Sequence, residues 1–381
     1  MTHVDPTVGY FVVRGYGFEN PFAVRLGAGC VTSDKPFYFS VKLPEGNYDV
    51  KLLLGGDNRE SDTTVKAELR RLMLQEVRTK PGQVEARTFT VNVRTPKIAG
   101  GGQVHLKQPR EKIEEAWAWD DKLTLEFNGS RPCLRSIEIT KVEVPTVFVL
   151  GDSTVCDQAK EPWNSWGQML TRFFKPGVAV SNQAESGETL RGALHAGRVA
   201  KVLGDIKKGD YLLIQFGHND MKEKGAAVGA FTTYKADLEK VVTGVRQHGG
   251  TPVLVTSMNR KSFDATGHVY NTLKDYPDAV RAVAKDMDVP LIDLNAVSKT
   301  LYEAIGKANI DKAFVDGTHH NAYGSYELAR CVIEGIRQDK LDLAGYIVDD
   351  VPPFDPAHPD PIDTFNVPAS PQSSAEKPLG S

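Results

Sequence analysis

Apolar runs are short throughout this 381-residue chain. None approaches the ~18 consecutive residues of a membrane-spanning helix, which excludes a helical span. The opening Met1-Thr2-His3-Val4-Asp5 has neither the basic start nor the apolar core of a signal peptide. A mature chain whose leader had been replaced by Met1 would read the same way, so export stays open. No long basic block is present and the net charge is -3, which argues against nucleic acid as the main partner, because phosphate binding needs a clustered positive face. Cysteine is scarce. Cys30, Cys133, Cys156 and Cys331 match no zinc or redox spacing, and the histidines lack the spacing of metal ligands. Cys30 and Cys133, both in the first half, can pair, but buried free thiols are the default expectation. No internal repeat is evident.

What is present is ordinary globular material, 40% hydrophobic and 25% charged. A chain of this length buries enough apolar surface to fold without a disulfide or metal staple. Residues 1–143 read as strands. Pro36–Leu43 alternates, a turn at Pro44-Glu45-Gly46-Asn47 follows, and Tyr48–Leu54 is the next strand. Phe89–Val93, Leu123–Phe127 and Cys133–Ile139 read the same way, while Glu68–Leu74 is ambiguous by periodicity. Asn128-Gly129 reads as a hairpin turn, although Asn128-Gly129-Ser130 is also a glycosylation sequon by pattern. Trp117 and Trp119 flank Ala118 at period two, which puts both indoles on one face if the segment is extended. The expectation is a β-sandwich.

The pattern changes near Pro145. Short apolar strands at Val147–Leu150, Val178–Ser181, Tyr211–Phe216, Pro252–Ser257 and Pro290–Leu294 alternate with helical stretches such as Tyr234–Gln247 and Tyr276–Met287. Such alternation implies a parallel sheet covered on both faces, with its site at the carboxyl ends of the strands. From residue 346 to 381 proline, acid and serine dominate. That tail is expected to be disordered or strapped along a surface, and Gly380-Ser381 reads as a cloning scar.

The chemistry-bearing residues cluster in the second region. Ser153 follows Leu150-Gly151-Asp152 directly after a buried strand. Gly187 and the block Phe216-Gly217-His218-Asn219-Asp220 also follow strands, and Asp316-Gly317-Thr318-His319 comes late. An Asp-x-x-His spacing lets one turn present both side chains. Serine, histidine, aspartate and amide donors are the components of a serine esterase.

With Trp166-Gly167 and Asn182–Gly187, these blocks resemble the SGNH, or GDSL-like, hydrolases over residues 147 to about 337, and within them the rhamnogalacturonan acetylesterases of carbohydrate esterase family 12. The resemblance implies a three-layer α/β/α, flavodoxin-like domain with a parallel sheet over 144–345. An N-terminal, galactose-binding-like β-sandwich over 1–143 would precede it as a carbohydrate-binding or supporting domain. It implies Ser153 as nucleophile, His319 as base and Asp316 as its orienting partner. The oxyanion hole would be Ser153, Gly187 and Asn219. Arg260, Trp166 and His320 are expected substrate contacts, although packing explains each equally well. Trp163, Arg191, Met258 and Asn259 follow the same strands. His218 and Asp152 are read as loop-bonding groups. No cofactor or metal is expected, and a secreted or periplasmic location follows from the resemblance.

The implied substrate is an acetylated polysaccharide or oligosaccharide, above all pectic rhamnogalacturonan. Acetylxylan esterase and other lipase or esterase activities on the same scaffold are the enzymatic alternatives. A non-catalytic carbohydrate-binding protein is the alternative of another class. Nothing in the sequence sets the oligomeric state.

Overall fold

A computed structural model describes residues 9–379; the readings made on Met1–Asp5 and on Gly380-Ser381 lie outside the described residues. In the first region, two five-stranded antiparallel sheets pack on one another. One sheet has the order Tyr16–Phe18, Phe37–Lys42, Lys122–Arg131, Ser61–Ala67, Arg71–Thr79. The other has Arg25–Leu26, Val31–Thr32, Cys133–Val142, Gly46–Gly55, Val84–Val93. Side chains alternate across a strand, so Phe37 and Phe39 face inward from the first sheet and Val50, Leu52 and Leu54 from the second.

One ambiguity resolves and three local expectations need correction. The ambiguous Glu68–Leu74 is a hairpin: Ser61–Ala67 pairs with Arg71–Thr79, and Glu68 and Arg70 take positive φ at the tip. Asn128-Gly129 is not a hairpin turn. It lies inside the strand Lys122–Arg131 at a register shift, where Gly129 has φ +127 and a Cβ would strike Asp62 O. Asn128 itself is buried, bonded to Glu126 and to Ala369 O, which leaves no room for a glycan in the folded chain. Trp117 and Trp119 do not share a face of an extended segment, because Ala116–Ala118 is a short helical turn. Trp117 packs on Tyr38, while Trp119 lies under Arg94 and Arg198. Finally, Cys30 and Cys133 form a disulfide rather than remaining thiols. Pairing of Thr32 with Cys133 brings the two Cα atoms to 5.6 Å. Cys156 and Cys331 are buried free thiols.

The second region is a parallel five-stranded sheet with the order Ala179–Asn182, Thr146–Gly151, Tyr211–Gln215, Thr251–Val255, Leu291–Ile292. Both faces are covered, so its strands are apolar without interruption. Val147 and Val149 pack with Trp166 and with Leu328 and Val332 of the helix Ala322–Gln338. Phe148 and Leu150 pack on the other side with Val241 and Val245 of Lys235–Gln247 and with Val283 of Tyr276–Asp286.

The tail from Tyr346 onward is a strap. Asp360 meets Arg330 and Phe365 stacks near Tyr323 and Tyr326 on the α/β region. Farther on, Lys66 Nζ donates to Pro368 O at 2.7 Å and Ser370 Oγ donates to Glu126 on the β-rich region. Its end returns to the α/β region, where Trp163 Nε1 donates to Ser374 O at 3.1 Å. Among the described residues no helix is long and apolar enough to cross a membrane.

The disulfide closes a sequence separation of 103 residues, so it strongly restricts the unfolded chain. Replacing Cys30 and Cys133 together by alanine is expected to cost about 2–5 kcal/mol, read as a lower denaturant midpoint for the β-rich region. An unchanged midpoint would show that the strand pairing alone holds this edge.

Candidate active site

Three neighbouring strands deliver the loops that meet at the carboxyl edge of the parallel sheet. Thr146–Gly151 ends at Gly151, where a Cβ would stand 2.5 Å from Val155 Cγ2 and 2.7 Å from Gln215 O. The next turn is held by Asp152. Its carboxylate accepts from Thr154 N and Oγ1 at 2.9 and 2.8 Å, and its carbonyl accepts from Val155 N and Cys156 N. That turn presents Ser153. After Ala179–Asn182 the chain reaches Gly187, whose φ of +70 suits glycine. After Tyr211–Gln215 it reaches Asn219.

The fourth component arrives from a distant loop. Asp316 Oδ1 accepts the backbone N–H groups of Thr318 and His319, both at 2.7 Å, which closes the turn. Asp316 Oδ2 then lies 3.0 Å from His319 Nδ1. His319 Nε2 lies 2.8 Å from Ser153 Oγ. Burial alone would raise the Asp316 carboxyl, but the bonds from the His319 ring and from the two backbone N–H groups hold it well below the usual carboxylate range. Trp163 stands edge-on to the His319 ring, with centroids 5.7 Å apart.

Asn219 Nδ2 donates to Glu188 O at 3.1 Å, which ties the third loop to the second and leaves the other amide hydrogen for a further acceptor. Asp152 and His218 form a buried pair at 3.2 Å, and the other His218 ring nitrogen meets Met258 O at 3.1 Å. His218 therefore joins three loops rather than bonding within its own. Arg260 sits beside this cluster. Its bonds go to neutral acceptors: Thr318 Oγ1 at 3.1 Å, His218 O at 3.3 Å, and Thr272 Oγ1 and Met221 Sδ at 3.5 Å. Lys222, one turn past Asn219, donates to Asn219 Oδ1 at 3.3 Å. Burial, and then the nearby Arg260 charge, pull its ammonium below the ordinary lysine range.

Two expected substrate contacts are displaced from the cleft. Trp166 is fully buried, its Nε1 donating to Gln215 Oε1 at 2.9 Å, because the helix Trp166–Leu170 turns that face into the sheet core. His320 points the opposite way from His319. It is buried against Phe314, with Nε2 2.8 Å from the Tyr302 hydroxyl, and burial pulls its imidazole down to about 3. Met258 and Asn259 are buried, and Arg191 pairs with Asp237.

Residues that sequence reasoning missed come from outside the motif blocks. Gln158 Nε2 donates to Ser153 O at 2.7 Å, and its Oε1 accepts from Arg110 at 3.2 Å. Lys107 Nζ donates to Ser186 O at 2.7 Å. Neither lysine nor arginine carried a motif that marked it, since both sit between strands of the β-rich region. Beside them Glu111, Glu115 and Glu185 bring carboxylate oxygens within 4.8 Å of one another. Arg110 pairs with Glu115 at 2.7 Å and with Glu185 at 3.1 Å, and Arg198 pairs with Glu111 at 2.6 Å. Guanidinium groups thus supply each of the three carboxylates with a positive partner. Burial first, and then Glu111, push Glu185 up to about 7.

The profile of the GDSL-like Lipase/Acylhydrolase family matches residues 149–325. A rhamnogalacturonan acetylesterase of Bacillus subtilis, RhgT, is 39% identical over 219 residues, covering 53% of this chain and 94% of that protein. An uncharacterized esterase of the same organism, YxiM, is 29% identical over 355 residues, covering 87% of this chain and 85% of that protein. The X-ray crystal structure of YxiM from Bacillus subtilis superposes with a TM-score of 0.50 at 25% identity, covering 89% of this chain and 94% of that one.

The buried His320 has a testable consequence for folding. Its folded-state value of about 3 lies below the ordinary imidazole value, so the unfolded chain binds more protons between these limits. Its contribution to stability is therefore present above pH ~6.5 and is lost progressively as pH falls toward about 3. His320→Gln is expected to flatten the fall in denaturant stability between neutral and acidic pH by up to about 1.4 kcal/mol per pH unit. An identical slope in the variant would assign the acid sensitivity to other groups.

Proposed function

The chain belongs to the GDSL-like lipase/acylhydrolase family and is a carboxylic ester hydrolase, and from that premise we propose that it removes O-acetyl groups from an acetylated plant polysaccharide, with pectic rhamnogalacturonan as the substrate. The observation that carries this reading is the relay Ser153 Oγ, His319 Nε2, His319 Nδ1, Asp316 Oδ2, with separations of 2.8 and 3.0 Å. Ser153 attacks the acetyl carbonyl while His319 Nε2 takes its proton. The ionised Asp316 holds the ring in the required tautomer and stabilises the imidazolium. The backbone N–H groups of Ser153 and Gly187 and the amide of Asn219 receive the oxyanion. His319 then returns the proton to the departing sugar hydroxyl. Water, activated by the same imidazole, releases acetate from the acetyl-Ser153 intermediate.

The pectic substrate is supported by the named activity of RhgT and by the charge around the cleft. Rhamnogalacturonan carries carboxylates, and Arg260 and Lys222 place two cations beside the nucleophile's loop. Arg260 hydrogen-bonds neutral acceptors and feels the Asp152 and Asp316 carboxylates only at longer range, which leaves its guanidinium able to meet an anionic ligand. A neutral acetylated xylan would draw no ion pairing from those two cations, which separates the two enzymatic readings. The assembled relay speaks against a purely carbohydrate-binding role. The Cys30–Cys133 disulfide supports an oxidising compartment, secreted or periplasmic.

Ser153→Ala is expected to abolish acetate release from acetylated pectin and from a small chromogenic acetate, and His319→Ala to be far more damaging than His320→Ala. Substantial turnover by purified Ser153→Ala would move the nucleophile elsewhere. Arg260→Ala is expected to raise KM for acetylated pectic oligosaccharides while sparing kcat for the neutral acetate, because it removes binding and leaves the chemistry. Equal KM values for wild type and variant on the acidic substrate would favour the xylan reading.

A further inference from the structure

The proposed oxyanion donor at Gly187 is the N–H of the peptide that joins it to Ser186, and the carbonyl of that same peptide is already engaged. Lys107 Nζ donates to Ser186 O at 2.7 Å. In a trans peptide the C=O and N–H point in opposite directions. A donor that fixes the carbonyl therefore fixes the aim of the N–H. An ammonium on the oxygen also draws electron density from the amide and strengthens the N–H as a donor.

Lys107 is not a loose surface side chain that happens to reach this carbonyl. It lies in the long connection between the strands Val84–Val93 and Lys122–Arg131. Its own backbone N–H donates to Glu111 Oε2 at 2.8 Å, and Glu111, fully buried, is held by Arg198 at 2.6 Å. The neighbouring His105 N donates to Ala196 O at 2.8 Å. The ammonium also faces Glu188 Oε2 at 3.3 Å, and the Glu188 carbonyl is the acceptor that holds Asn219. One lysine thus braces both sides of the loop that carries Gly187.

We propose that Lys107, contributed by the β-rich region, is a positioning residue for ester hydrolysis that orients and polarises the Ser186–Gly187 peptide so that the Gly187 N–H meets the oxyanion. The inference rests on the reading of Gly187 as an oxyanion donor. It makes the β-rich region part of the catalytic apparatus for every ester, small or polymeric.

The test uses the full chain and a small neutral substrate, p-nitrophenyl acetate, so that polymer binding does not enter. Removing an oxyanion donor outright costs roughly 100- to 1000-fold in kcat, so misaiming one is expected to cost about 10- to 100-fold. Lys107→Met should show that fall with KM within about twofold of wild type. Lys107→Arg, which restores a cationic donor, should recover most of it. Affinity for a small boronic acid, which forms a tetrahedral adduct on Ser153, should weaken by the same factor as kcat/KM. If Lys107→Met perturbs folding, Lys107→Cys measured before and after alkylation with bromoethylamine returns the ammonium within one preparation, and recovery of kcat is expected. A kcat for Lys107→Met within about twofold of wild type, or a rise in KM alone, overturns the inference. So does a loss that neither arginine nor the restored ammonium repairs. Ser153→Ala assayed in parallel separates the levels: if it keeps turnover, the underlying reading of the site has failed, whereas inactive Ser153→Ala with fully active Lys107→Met sinks the role of Lys107 alone.

Discussion

Ser153 Oγ and His319 Nε2 lie 2.8 Å apart across 166 residues of chain, and most of the molecule serves to keep them there. A serine hydroxyl is a weak nucleophile, so it works only with a base inside hydrogen-bond reach. The parallel sheet meets half of that requirement. Three adjacent strands end at one edge and hand over Ser153, Gly187 and Asn219 on consecutive loops. The other half comes from the turn at Asp316, where one carboxylate oxygen closes the backbone and the other receives the imidazole. Local closure and long-range positioning are thus done by a single side chain.

The contact between the two regions is rich in buried charge. Arg71 and Arg94 face Asp157, Arg70 pairs with Glu161, and Arg198 with Glu111, all with little solvent access. Such pairs contribute little net stability, because desolvation offsets their attraction, but they are severe about geometry. Here the severity acts beside the Ser153–His319 pair. Arg70 NH1 donates to Gln158 O and Trp163 O at 2.9 and 3.0 Å, and Arg110 holds the Gln158 side chain that in turn bonds Ser153 O. Trp163 then contacts His319 on one side and the strap at Ser374 on the other. Cutting the chain near residue 143 would remove Arg70, Arg71, Arg94 and Arg110, the ion-pair partners of Glu161, Asp157 and Glu185, together with Glu111, the partner of Arg198, and would expose the charged face left behind. Loss of activity in such a truncation would then report a collapsed interface as well as any loss of sugar binding.

Motif order and spacing were enough to single out Ser153, Gly187, Asn219, Asp316 and His319, and apolar periodicity was enough for the parallel sheet and most strands of the β-rich region. Those features are local: a buried strand must be apolar on both faces, and an Asp-x-x-His turn closes on its own backbone. Where local signals misled, a distant contact had overruled them. Asn128-Gly129 carries hairpin chemistry, yet the strand runs through it because Asp62 and Ala369 occupy both sides. Trp166 and His320 stand beside motif residues in sequence but on the opposite face of their elements, and only packing against Gln215 and Tyr302 decides that.

The sequence by itself therefore determined the candidate site residues and the kind of sheet that presents them, because both depend on residue type at short spacing. Tertiary structure alone decided which groups surround them. The grip of Lys107 on the Ser186 carbonyl, the bridge from Arg110 through Gln158 to Ser153, the Cys30–Cys133 bond and the course of the tail all join residues tens to hundreds of positions apart. No periodicity or motif encodes such contacts: the disulfide arises only when distant strands pair in one sheet, and the others only when two regions are pressed together and buried polar groups between them must find partners.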